Sequence, residues 1–166
     1  LHLPMISLEH TLPVPNWGSD ILEPIRNMRG HLNLFISRHS IEAWGWEEGK
    51  DTLVITHGVD TELFKPDKSI EREDHALSVV NDWINRDWGC GFNIWQNVIK
   101  DLPHRVLGDT PGLSEPASST QDLVSAYQSS RIFLNTSTIS PIPTVLLEAM
   151  SCGCAVVSTE TCMIPE

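Results

Sequence analysis

The sequence predicts an α/β fold built on parallel sheets, and three observations carry that prediction. Short apolar runs alternate with segments of helical periodicity along most of the chain, the pattern of βαβ units. Clusters of Gly, Pro, Asp and Ser punctuate these segments, as turns require. The alternation breaks off at a densely charged stretch and restarts beyond it, so two such units are expected.

Met5–Leu8 is the first expected strand, followed by the polar turn Glu9-His10-Thr11-Leu12-Pro13. Asp20–Met28 places Ile21, Leu22, Ile25 and Met28 at helical spacing, with Asp20 as N-cap and Gly30 as stop, while Pro24 blurs where the helix starts. Leu32–Ser37 is the second strand, Ser40 is the expected cap of a helix from Ile41 to Trp46, and Thr52–Thr56 is the third strand. Lys65–His75 is mostly charged, with Ile70 its one apolar residue besides Pro66, and reads as a solvated linker. The pattern then resumes with a strand at Ala76–Val80 and a long loop to Gly91. An amphipathic helix over Phe92–Leu102 follows, with Phe92, Trp95, Val98, Ile99 and Leu102 on one face. Arg105–Leu107 is a strand, Ser119 or Thr120 caps a helix, and Ile132–Leu134 is a strand. Pro143–Ser151 is a helix stopped by Gly153, and Ala155–Ser158 is the last strand. The expected organisation is residues 1–64 as the C-terminal part of one α/β domain, 65–75 as linker and 76–166 as the first part of another.

Composition narrows the function. Of the 166 residues, 40% are hydrophobic and 20% charged, which is globular rather than disordered. A net charge of −11 argues against nucleic acid as partner, which would call for clustered Lys and Arg. No apolar run is long enough for a transmembrane segment, and residues 1–15 lack the basic start of a signal peptide. The expected location is cytoplasmic, or peripheral to a membrane. Cys152-x-Cys154 with Cys162 matches no common zinc set, so small buried thiols around Gly153 are expected, and no metal.

Ser140–Thr159 is the most informative stretch: loop, short helix, glycine stop, buried strand. No Lys or Arg follows Arg131, so an anion bound there would depend on backbone N–H groups, the helix dipole or cations from elsewhere. Pro141 and Pro143 stiffen the entry, and Thr136, Ser137, Thr138 and Ser140 bring hydroxyls to it. Glu148 is the one charge within Val145–Met150; it is either a plain exposed residue or a carboxylate accepting two sugar hydroxyls. Arg86 follows the first strand of the second unit and could hold a diphosphate or simply pair with Asp82 or Asp87. His10, at the end of the first strand, is a candidate acid/base or hydrogen-bond donor, or a structural histidine. Trp83 and Trp88 lie in the Arg86 loop and could stack on a base or sugar, whereas Trp44 and Trp46 read as staples of a short helix.

Leu147-Glu148-Ala149-Met150-x-Cys152-Gly153-x-Ala155-Val156-Val157 resembles the sugar-nucleotide motif of retaining glycosyltransferases of GT-B fold, family 4 (group 1). That motif runs Glu, seven residues, Glu, Ala-Met and a glycine turn into a Val-Val strand. His57-Gly58-Val59-Asp60-Thr61-x-x-Phe64-x-Pro66 resembles the family's passage between domains, and Ile164-Pro165-Glu166 resembles the tripeptide after its last motif strand.

The resemblance implies two Rossmann-like domains and retaining transfer of a hexose-type sugar. The donor would be a nucleoside-diphosphate sugar, the acceptor an unspecified glycan, lipid or protein, with no cofactor. It implies donor binding by Arg86, Ser140, Pro143, Thr144 and Glu148, the last through the ribose, and a catalytic place for His10 near the transferred sugar. Ser140 stands where the family's first Glu does. A non-catalytic nucleotide-sugar-binding domain and a GT-B-fold epimerase are the alternatives. The chain by itself is expected to be inactive and prone to self-association.

Overall fold

The structure is a computed structural model that describes residues 3–140 and 142–160. His2, Pro141, Cys162 and the Ile164-Pro165-Glu166 resemblance lie outside the described residues. Two compact units emerge. Among the described residues the first comprises 3–57, 139–140 and 142, and the second 58–138 and 143–160. The division therefore falls between His57 and Gly58, and the charged segment 65–75 goes with the second unit.

The first unit holds a parallel three-stranded sheet in the order β1 (Ile6–Glu9), β2 (Leu32–Phe35), β3 (Thr52–Val54). Helices α1 (Ser19–Arg26) and α2 (Arg38–Ala43) make the crossovers. Asp20 is not the N-cap of α1. Gly18 takes that position in an extended conformation, and Asp20 falls in the first turn, where its charge suits the helix dipole. Ser37 rather than Ser40 caps α2, because its extended backbone lets Oγ accept from the Ser40 N–H at 3.0 Å.

Phe35, Ile41, Trp44 and Trp46 form the core of this unit. Both tryptophans are staples, as expected: the Trp44 Nε1–H donates to the Thr11 carbonyl at 3.0 Å and the Trp46 Nε1–H to the Arg26 carbonyl at 3.1 Å. Because side chains alternate along a strand, the opposite face of the sheet carries Ile6, Leu8 and Leu53, all exposed.

The second unit is a parallel four-stranded sheet in the order β5-β4-β6-β7. Its strands are β4 (Glu73–Val79), β5 (His104–Leu107), β6 (Ser130–Asn135) and β7 (Ala155–Ser158), and its helices α3 (Asp87–Cys90), α4 (Phe92–Ile99), α5 (Thr120–Ser129) and α6 (Thr144–Ser151). β4 begins three residues before its apolar run, because Glu73 still registers against Ser130 and His75 shares a hydrogen bond with the Ser130 hydroxyl at 2.8 Å. α4 buries Trp95 and Ile99, but Val98 and Leu102 are exposed and the helix ends at Ile99. Trp95 packs tilted against Trp83 at 4.8 Å, which sets the buried face along Trp95 and Ile99. Ser119 caps α5, accepting from the Asp122 N–H at 3.1 Å.

No helix among the described residues is long and apolar enough to cross a membrane. The segment read as linker is tied to the second unit, through Arg72 among other side chains. The Arg72 guanidinium donates to the Ser130 carbonyl and to the Cys152 carbonyl, each at 2.6 Å. Cys152 is the C-cap of α6, so this cation also meets the negative end of that helix.

Candidate functional site

All four strands of the second sheet point the same way, so their C-terminal ends share one edge. From β4 the chain moves outward to β5, then returns across β4 to β6. The direction of winding thus reverses between β4 and β6. In open α/β sheets, that reversal opens a crevice where ligands bind.

Two loops meet there. The exit of β6 is stitched to residues 88–91 of the β4 exit. The Thr136 hydroxyl donates to the carbonyl of Gly91 at 2.9 Å and of Cys90 at 3.2 Å. The Thr138 N–H donates to the Gly89 carbonyl at 2.9 Å and its hydroxyl to that of Trp88 at 3.0 Å. The other flank is tied to the exit of β5: Asp109 accepts from the Asp82 N–H at 2.7 Å, and the Thr110 hydroxyl from the Trp83 N–H at 2.9 Å. Asp82 holds a left-handed φ of 47°, an uncommon conformation outside glycine. The 81–91 loop is thus fixed at both ends.

Arg86 sits on this loop, exposed, at the N-cap of α3. Neither acid proposed as its partner takes it. Asp82 accepts from the Asn85 side chain at 2.7 Å, and Asp87 accepts from the N–H and side-chain amide of Asn93. Among the described residues Arg86 has no ion pair and only a long 3.5 Å bond to the Asn81 carbonyl. Trp83 cannot stack on a ligand: it is wholly buried, its indole N–H donating to the Cys90 carbonyl at 2.8 Å. Trp88 is 48% exposed.

α6 descends from the β6 exit. Pro143 is its N-cap and Thr144, exposed, its first residue, and no side chain caps this end. The hydroxyls of Thr136, Ser137 and Thr138 each donate to a protein acceptor, and none of them caps this end. Glu148 is half-buried, and its Oε2 accepts from the Tyr127 hydroxyl at 2.8 Å. Tyr127 is fully buried and packs edge-on to Phe64 and Phe133. Burial first, then the Glu148 charge and this hydrogen bond, push the phenol well above its ordinary pKa, so it remains a donor at neutral pH.

The second unit therefore holds Arg86, Pro143, Thr144 and Glu148. His10, exposed beyond β1, and Ser140, half-buried, belong with the first unit. Sequence reading missed Tyr127 and Arg72. Tyr127 is the chain's one tyrosine and reads only as part of an amphipathic helix, while Arg72 is hidden among other charges.

Cys90, Cys152 and Cys154 are buried free thiols, and burial is the main cause pushing each above its ordinary pKa, Cys152 up to about 11. Among the described residues no three His, Cys, Asp or Glu are grouped to hold a metal. The native state retains thiol protons that the unfolded chain gives up near about pH 8.5. Stability is therefore expected to be complete below that pH and to fall as pH rises toward 11. Urea midpoints measured from pH 8 to 11 check this, and a midpoint that stays flat would show thiols titrating normally. Cys152→Ala should make the fall shallower.

The crevice, the helix and the carboxylate can be set beside known proteins. Residues 105–166 match the model of a family described as glycosyl transferases, group 1. The matched segment contains α6, Glu148 and the β6 exit, but not Arg86 or His10. Among solved structures, HepE of Anabaena in complex with UDP and glucose is similar with a TM-score of 0.74 at 17% identity, over 96% of this chain and 53% of that one. Sucrose-phosphate synthase of Thermosynechococcus elongatus has a TM-score of 0.70 at 15% identity, over 95% and 50% of the two chains. TarM of S. aureus has a TM-score of 0.65 at 10% identity, over 93% and 36%. The fold is that of these GT-B glycosyltransferases. The chain spans about half the length of the first structures it matches. No curated protein sequence matches it.

Proposed function

We propose that this chain carries the domain-junction part of a retaining GT-B glycosyltransferase of family 4. Such an enzyme moves a hexose from a nucleoside-diphosphate sugar to a glycan, lipid or protein acceptor. The observation that carries the reading is the set of groups around one crevice. A half-buried carboxylate, a helix start without a side-chain cap and an unpaired cation on a braced loop all belong to the strand ends where the sheet reverses. The group 1 match over residues 105–166 and the UDP and UDP-glucose complexes of HepE support it.

In this reading residues 76–166 hold the donor and 1–64 the acceptor side, joined through 65–75. Glu148 accepts the ribose hydroxyls. Ser140, Pro143 and Thr144, with the N–H groups of the first turn of α6, face the sugar and diphosphate. As the bond from the anomeric carbon to the diphosphate breaks, negative charge grows on the leaving group, and Arg86 and the helix dipole stabilise it. His10 donates a hydrogen bond near the transferred sugar. No metal or cofactor is called for, and the protein works in the cytoplasm or at a membrane surface.

One observation favours a second reading. Ser140 stands at the place of the family's first Glu, which suits a domain that binds nucleotide sugars without turning them over. The two separate on the full-length gene product incubated with a panel of nucleoside-diphosphate sugars and an acceptor extract. Release of nucleoside diphosphate that falls in Arg86→Ala and His10→Ala supports the transferase. Tight donor binding with no release from any donor supports the binding module instead.

A further inference from the structure

We propose that Tyr127 is a positioning residue for the nucleotide, its hydroxyl holding one oxygen of Glu148 so that the other is presented to the ribose. The inference rests on the reading of Glu148 as the ribose acceptor.

A glutamate side chain turns about three bonds, and ordering it on binding costs conformational entropy. Here that ordering is already in place, because Oε2 is held by the Tyr127 hydroxyl at 2.8 Å. Tyr127 is itself immobile. It is wholly buried, with ring centroids 5.8 Å from Phe133 and 6.2 Å from Phe64, both edge-on. Its backbone carbonyl accepts from the Cys154 thiol at 3.1 Å and from the Ser130 N–H that ends α5. Packing alone would be met as well by phenylalanine, and among the described residues Glu148 is the one partner of the hydroxyl. A phenol has one proton to give, so the carboxylate receives it and keeps most of its acceptor sites. Two adjacent ribose hydroxyls would find those sites in a fixed direction, which is how preorganisation raises affinity.

The test compares wild type with Tyr127→Phe by titration calorimetry, using UDP, ADP and GDP and their 2′,3′-dideoxy forms. The expected result is a wild type that binds one ribonucleotide at least about tenfold more tightly than its dideoxy form. In Tyr127→Phe that preference should largely disappear, with affinity for the dideoxy form unchanged. A merely structural tyrosine would weaken both forms together or neither. If Tyr127→Phe keeps the full preference, the positioning role is overturned while Glu148 stands. A wild type with no preference, or no binding, overturns both.

Should Tyr127→Phe fail to fold, wild type carrying 13Cζ-labelled tyrosine at position 127 alone, inserted by amber suppression, gives the answer. Its resonance should move on saturation with the ribonucleotide and stay in place with the dideoxy form. An unmoved signal in the saturated ribonucleotide complex overturns the inference.

Discussion

Gly91→Ala is expected to cost about 4 kcal/mol of stability, at the severe end for a single substitution. Gly91 has a φ of +65°, and a Cβ built on it lies 1.9 Å from the Thr136 carbonyl oxygen and 2.9 Å from its carbon. The left-handed conformation alone costs an alanine about 1–2 kcal/mol. The rest arises because the obstructing atoms are backbone at the exit of β6, with no flexible end to swing aside. Making room separates residues 88–91 from 136–138, the pair of segments joined by the Thr136 and Thr138 bonds. Gly112→Ala is the internal control: its φ is +76°, but nothing lies within 4 Å of its Cβ. Thermal unfolding should fall by about 10 °C for Gly91→Ala and by only a few degrees for Gly112→Ala. Equal, small shifts would mean that the two loops are not packed as described. The damaged loop is the one carrying Arg86, so nucleotide affinity should fall with stability.

Glu148→Ala is expected to weaken nucleoside-diphosphate binding by about 1–3 kcal/mol, the scale of a lost hydrogen bond to a charged group. It also strips the buried Tyr127 hydroxyl of its acceptor, so a loss of stability of about 1–2 kcal/mol accompanies it. Glu148→Gln separates the two effects. Its amide oxygen can still accept from Tyr127, so stability should be nearly native, while the charge offered to the ribose is gone. Calorimetric titration of both variants, beside their urea midpoints, makes the comparison. Native affinity in a folded Glu148→Ala protein would sink the ribose role.

Most of the architecture was legible because it rests on local periodicity. Among the described residues the alternation of apolar runs and helical segments located every strand and helix but the single turn of α3, and β7, Ala155–Ser158, to the residue. Errors gathered where a choice depends on neighbours distant in sequence. Ser37 and Ser40 are equally good caps in composition, and only the extended backbone at Ser37 decides between them. Val98 and Leu102 fit the helical stripe, yet α4 turns its Trp95–Ile99 edge inward because Trp83 is there to meet it. Trp83 itself reads as a stacking platform and is instead wholly buried.

The candidate site divides in the same way. Glu148, the α6 start and the resemblance they carry lie within twenty consecutive residues, so their order in the chain was enough to single them out. The partners that give them their properties come from elsewhere. Tyr127 reaches Glu148 from 21 residues away, Arg72 reaches the end of α6 from 80, and Thr136 reaches Gly91 from 45. Sequence by itself determined that this is a parallel α/β protein with an acid on a helix behind a strand. Tertiary structure alone decided that the acid is held by a buried phenol and that Arg86 has no counter-ion among the described residues. Periodicity records which way a side chain faces. Its hydrogen-bond partner depends on which segments the folded sheet brings together.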